Sequence, residues 1–155
     1  MAYKQGGFKG CLLILVLAAL MGGVGYFFYT ANQASGEAFR VGAGRYLDAL
    51  IAEDFSRAAE ADHPERNVSA IDLREGWSTR TERLGKLKSW SVHTTNSGVD
   101  SDGSFLQGKV ILTFSEVDYP VPVRIELRDI ADGAEKRLFR MTLATRTQKD
   151  EAGAW

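Results

Sequence analysis

The chain has 155 residues, 45% of them hydrophobic and 25% charged, with a formal net charge of −1. That composition supports a buried core and argues against a disordered chain or a basic nucleic-acid surface. Cys11 is the single cysteine, which excludes an internal disulfide.

The first element in chain order is the segment 11–30, CLLILVLAALMGGVGYFFYT, inside an interval without charge that runs from Gly10 to Gly36. A helix of that length, at ~1.5 Å per residue, covers about 30 Å, the thickness of a bilayer's hydrocarbon core. Leu12, Leu13, Ile14, Leu15, Val16, Leu17 and Leu20 favour insertion, and Tyr26, Phe27, Phe28 and Tyr29 place an aromatic cluster at the outer lipid boundary. Residues 1–10 carry Lys4 and Lys9 and no acid, whereas the first basic residue on the far side is Arg40. The positive-inside rule therefore predicts a single-pass signal anchor in the inner cell membrane. Its amino terminus lies in the cytoplasm and residues 31–155 lie in the periplasm. A cleaved signal peptide is the rival reading, but its apolar core would be shorter and would end in a small-residue cleavage site, which is missing after Tyr29. Ala18 with Gly22, and Ala19 with Gly23, form small-xxx-small pairs that let membrane helices approach closely.

Residues 31–36 read as a short polar tether. The part after Thr30 holds all 20 acids and 17 of the 19 Lys and Arg, hence a charge of −3, which disfavours nucleic acid as a partner. Within it Phe39, Ala43, Tyr46, Leu47, Leu50 and Ile51 recur at steps of three and four and predict a helix over Glu37–Glu53. Asp54 caps a short second helix with Phe55, Ala58 and Ala59 inward, and a charged loop around His63 and Pro64 ends it. Ser69 and Asp72 form a capping box for a third helix with Leu73, Trp77 and Leu84 on its buried stripe, closed by Gly85.

Beyond Gly85 the period becomes two. Trp90, Val92 and Thr94 alternate, Asn96–Ser104 reads as a turn-rich connector, and Phe105–Val117 as a strand with Leu106, Gly108, Val110, Leu112 and Phe114 on one face. Val121, Val123, Ile125 and Leu127 alternate with Pro122, Arg124, Glu126 and Arg128. Ala131-Asp132-Gly133 predicts a hairpin, Arg137–Thr145 a last strand, and 148–155 a flexible tail. The expected fold class is α+β: a transmembrane helix, then three helices packed on a curved four-stranded antiparallel sheet.

Arg45–Ala59 (RYLDALIAEDFSRAA) resembles the long first helix and the acidic, small-residue start of the second in the nuclear-transport-factor-2-like (cystatin-like) superfamily. Arg83–Trp90 (RLGKLKSW) is similar to the passage into the first strand of small bacterial members with one membrane anchor. The resemblance covers Glu37–Thr147 and implies a curved sheet wrapped around amino-terminal helices. Enzymes of that superfamily place an acid, His or Tyr inside the cone. Here the inner-face residues Val110, Leu112, Phe114, Val121, Val123, Ile125 and Leu127 carry no proton-transfer group, which argues against catalysis. A second likeness, to membrane-anchored assembly factors of cytochrome oxidase, rests on the single span and small α+β domain.

No catalytic, cofactor or metal motif stands out. His63 and His93 are far apart and lack a cysteine partner in the outer domain, and Asp100-Ser101-Asp102-Gly103 reads as a turn because a calcium loop would need later ligands. Tyr46, Trp77 and Trp90 are candidates to line a small apolar pocket. On the solvent face Lys109, Ile111 and Thr113, then Arg124, Glu126 and Arg128, then Leu138, Arg140 and Thr142 mix aliphatic and cationic groups. Lys109, Ile111, Arg124, Arg128 and Arg140 are therefore the candidate interface, since Arg is favoured at such surfaces. The expected function is a non-enzymatic accessory, assembly or scaffold protein that binds an envelope partner, or a second copy, through this domain. The alternatives are a small apolar-ligand binder with weak isomerase- or hydrolase-like activity, and a respiratory-complex assembly factor.

Overall fold

The computed structural model of the chain describes residues 7–130 and 135–143, the side chains of 7–17 and of Phe28 excepted. It divides into two compact units, Met1–Ala34 and Ser35–Trp155. The fold is α+β. Helices α1 (Gly7–Ile51), α2 (Phe55–Glu60) and α3 (Ala70–Leu84) precede strands β1 (Leu87–Asp100), β2 (Gly103–Phe114), β3 (Val121–Asp129) and β4 (Lys136–Leu143). The strands form one antiparallel sheet in the order β1-β2-β3-β4.

In the first unit Leu20, Met21, Val24, Tyr26, Phe27 and Tyr29 are exposed on α1. Among the described residues no helix is long and apolar enough to cross a membrane. The most apolar part of the expected span, 12–17, lies outside the described side chains. Ala18, Ala19, Gly22 and Gly23 are exposed there, and a Cβ added at Gly22 or Gly23 would meet nothing within 4 Å. Residues 31–36, expected as a tether, are helical and contain the boundary between the units.

The second unit begins with the buried stripe of α1. Phe39, Ala43, Tyr46, Leu47 and Leu50 are buried as the spacing predicts, and Ile51 is half-buried. The helix stops in a Schellman turn: Glu53 N–H donates to Leu50 O (3.2 Å) and Asp54 N–H to Ala49 O (2.9 Å). Glu53 occupies the left-handed position, φ 55°, where glycine is the usual residue. Asp54 then caps α2, its Oδ1 accepting from Arg57 N–H at 3.0 Å. Both halves of the Ser69–Asp72 capping box form at the start of α3, and Gly85 ends it at φ 77°. A Cβ at Gly85 would lie 2.1 Å from Ser115 Oγ, so close packing as well as the dihedral requires glycine.

The inner face of the sheet follows the alternation: Leu106, Val110, Leu112, Phe114, Val121, Val123, Ile125 and Leu127 are all buried in one core with Phe39, Leu47, Leu50 and Trp77. Gly108 continues this face, and a Cβ there would fall 2.3 Å from the Phe39 ring. Pro122, which lacks a donor, is the second residue of β3 and pairs with Ile111 of β2.

Two expectations for the sheet need correction. The connector expected over Asn96–Ser104 is mostly strand. Asn96 to Asp100 pair with Gln107 to Gly103, leaving only Ser101 and Asp102 as the turn, where Asp100 Oδ1 accepts from Asp102 N–H (3.0 Å) and Gly103 takes φ 112°. Backbone pairing and the Arg128–Asp100 ion pair, not a buried apolar stripe, hold these residues, which explains why a hydrophobicity pattern misses them. Leu138, expected on the solvent face, is fully buried. The β3–β4 register shifts between Glu126 and Leu127, so Phe139 is an extra residue and Leu138 turns to the core opposite Leu127. His93 is likewise the extra residue of a bulge in β1, and it is exposed as expected. The hairpin expected at 131–133 and the tail 148–155 lie outside the described residues, as do Ala144 and Thr145 of the expected last strand.

Candidate functional site

The α3 stripe and the inner sheet face do not close on each other completely. Between them lies a pocket of about 420 Å³, within the range of small-molecule sites. Its apolar floor and walls come from Trp77 and Leu84 of α3, Leu112 and Phe114 of β2, Val121 and Val123 of β3, and Met141 and Leu143 of β4. Trp77 and Phe114 pack as tilted rings with centroids 6.1 Å apart. Arg80, Arg83 and Tyr119 complete the rim. The guanidinium groups arrive by helical spacing, since Arg80 and Leu84 follow Trp77 at three and seven residues on one face. Arg83 also stands in the last turn, where a cation complements the helix dipole. Neither arginine side chain has an ion pair or hydrogen bond to another described residue, and no acidic residue is among the described lining.

Two further pockets flank the helices. One of about 400 Å³ is lined by residues that include Leu50, Phe55, Arg74, Trp77 and Leu87. The other, about 480 Å³, lies around Trp90, with Arg40, Arg45, Asp48 and Arg57. The expected trio is thus distributed. Trp77 lines the first two pockets and Trp90 the third. There the Trp90 indole lies against Gly44 and donates from Nε1 to Asp48 Oδ1 at 2.7 Å. Tyr46 is 4% exposed in the core. Burial, and next the charge of Asp62, push its phenol up to about 12.

Of the candidate interface residues, Lys109 and Arg124 are cross-strand neighbours on the outer face, with Ile111 opposite Pro122. The Arg124 side chain makes no ion pair or hydrogen bond with another described residue. Arg128 is committed elsewhere. It donates from both terminal nitrogens to Asp100 (3.0 and 2.8 Å) and from Nε to Glu126 Oε1 (2.7 Å). The Phe139 and Phe105 rings cover it at 4.8 and 5.8 Å. The Asp100 hydrogen bonds, helped by Glu126 and opposed by burial, hold the guanidinium above its usual range. Only 6% of Glu126 is exposed, and Gln107 Nε2 donates to its second oxygen at 3.0 Å. Arg140 lies 5.8 Å from the Phe139 ring. Arg128 is a clamp inside the fold, whereas the half-buried Arg124 makes no such bonds among the described residues.

Sequence reasoning missed a buried polar group beside β4. His63, expected in a charged loop, is 7% exposed and Asp62 3%. A parallel bridge joins this segment to β4: His63 N–H donates to Leu138 O (2.8 Å) and Leu138 N–H to Ala61 O (3.1 Å). Asp62 accepts two bonds from Arg66 Nη1 (2.8 and 2.9 Å) and one from His63 N–H (2.9 Å). Burial nevertheless raises its pKa, outweighing Arg66. His63 Nε2 contacts Asp129 O at 3.1 Å, and its ring meets Phe139 edge-on at 5.5 Å. The proximity of Pro64 to a loop-like run masked this in the sequence; only the pairing with Leu138 reveals it.

Nearby, Lys136 Nζ donates to Asp129 Oδ1 (2.6 Å) and to Ser104 Oγ (2.5 Å), and Ser104 Oγ donates to Asp129 Oδ2. Burial would raise the Asp129 carboxyl, but Lys136 and Ser104 outweigh it and hold it below its usual range. A serine and lysine in contact could form a nucleophile and base only if the amine were neutral. Here both Lys136 and Ser104 are bonded to Asp129, and the triad fastens β2 to β3 and β4. Among the described residues no group of three or more His, Cys, Asp or Glu is placed to hold a metal ion, and no buried side-chain polar atom lacks a partner. No family model, curated protein or solved structure matches this chain.

Proposed function

We propose that the chain is a single-pass membrane-anchored, non-enzymatic binding protein. The segment 11–30 holds it in the inner membrane with the amino terminus in the cytoplasm, and the unit from Ser35 onward presents the site outside. The charge-free interval from Gly10 to Gly36 supports the anchoring. Helices followed by four sequential antiparallel strands are the element order that a nuclear-transport-factor-2-like domain would have. The observation that carries the binding role is the 420 Å³ pocket, whose apolar floor ends in a rim with two side-chain-unpaired arginines. The carboxylates Asp62, Glu126 and Asp129 are tied in ion pairs away from its lining. This is a site for holding an apolar molecule. The test is native mass spectrometry of the full chain released from a neutral detergent. A retained apolar ligand lost on Trp77→Ala supports the reading, and an empty wild-type protein after incubation with hexadecanol refutes it.

A second reading, an accessory or scaffold protein docking an envelope partner or a second copy on the outer sheet face, is supported by Lys109, Ile111 and Arg124. Assembly of a respiratory complex, such as cytochrome oxidase, is a narrower form of it. A stoichiometric partner that co-purifies in mild detergent and is released by Arg124→Glu would favour this reading.

A further inference from the structure

We propose that the pocket between α3 and the sheet takes a single-tailed amphipathic carboxylate, a long-chain fatty acid, with its tail against Leu112, Val123 and Met141 and its head on Arg80 and Arg83. The inference rests on the pocket reading above and adds the chemistry of the occupant. Three observations carry it. The lining divides into an apolar interior and a rim with two cations and no described acid. Both guanidinium groups are exposed and lack a side-chain partner among the described residues, unlike Arg66 and Arg128, which the fold itself consumes. The two arginines are three positions apart on one helix face, so both heads reach one anion. An alkyl chain satisfies the interior by the hydrophobic effect alone. The residues against which the tail would lie, Leu112, Val123 and Met141, carry no hydrogen-bonding group for a polar ring or sugar.

Guanidinium recognises a carboxylate through paired N–H donors, and such charge-assisted bonds are stronger than neutral ones. A neutral molecule of the same chain length should therefore bind, but more weakly.

The experiment compares palmitate with hexadecanol on the full chain in a neutral polyoxyethylene detergent, each titrated and counted as adducts by native mass spectrometry. Palmitate should bind about tenfold more tightly, a difference of ~1.4 kcal/mol. Arg80→Gln with Arg83→Gln should abolish that preference, palmitate falling to the level of hexadecanol. Both positions are exposed and glutamine keeps helix propensity, so the variant should fold. The preference should also shrink at 0.5 M salt, as expected for exposed charges. Equal binding of the two, insensitive to the glutamine variant, overturns the head-group assignment but leaves the pocket reading intact. Binding of neither overturns both.

Discussion

Gly108 is a point of close approach between α1 and the sheet, and one added methyl there is a stringent test of that packing. A Cβ at Gly108 would lie 2.3 Å from Phe39 Cζ and 2.5 Å from Cε1. Carbon atoms pack at ~3.5–4.0 Å, so the ring would have to withdraw by about 1 Å. Phe39 is 0% exposed and belongs to the central core, so it has nowhere vacant to move. Overpacking of this kind costs ~1–3 kcal/mol. Alanine offsets some of it, about 0.5–1 kcal/mol, by stiffening the unfolded chain. We expect Gly108→Ala to lose about 1–2 kcal/mol net in urea unfolding of the full chain in neutral detergent, followed by tryptophan fluorescence. Phe39→Leu should itself destabilise, by about 1–2 kcal/mol, through the space it leaves. Together the two should compensate, since the methyl enters the volume the ring vacates, with a coupling of about 1 kcal/mol or more. Strict additivity, or a Gly108→Ala protein as stable as the parent, would refute the close approach of Phe39 to β2.

The other predictions concern the helix ends, the clamp and the carboxylates. Glu53→Gly should stabilise by about 1 kcal/mol in the same assay, because the left-handed position penalises a Cβ by ~1–2 kcal/mol and the exposed Lys86–Glu53 pair returns less than that. Loss of stability would mean that the ion pair outweighs the dihedral. Arg128→Met should cost about 2–4 kcal/mol because it strands the buried Glu126, whereas Arg124→Gln should stay within about 0.5 kcal/mol; equal effects on thermal melting would contradict the contrast. Asp72, Asp100 and Asp129 lie below the usual carboxylate range, so the stability they contribute is present above about pH 4 and disappears as pH falls through their lowered values. Asp62 has the opposite sign: its raised pKa means that folding weakens as pH rises through it and the buried carboxyl ionises. Denaturation from pH 6 to 2 should therefore be less steep for Asp129→Asn and steeper for Asp62→Asn, and the reverse ordering would sink the assignment.

Local pattern was enough for elements whose cause is local. The stripe Phe39, Ala43, Tyr46, Leu47, Leu50 follows from helical spacing, the Ser69–Asp72 box from three residues of separation, and Val121 to Leu127 from alternation against a one-sided core. Each depends on neighbours within one or two turns, which a linear reading sees. The bulge at Phe139 is different in kind: its position depends on how β4 meets β3, and one extra residue sends Leu138 to the core and Phe139 onto Arg128. His63 and Asp62 are buried only because Leu138 supplies the backbone partners for their segment. The pocket likewise assembles residues more than sixty positions apart, from Trp77 to Leu143, that no spacing rule connects. Sequence alone determined the order of helices and strands, most of their inward faces and the long uncharged apolar interval. Tertiary structure decided which arginines are spent and which are open, because a charge's partner is set by long-range register and not by the residues beside it.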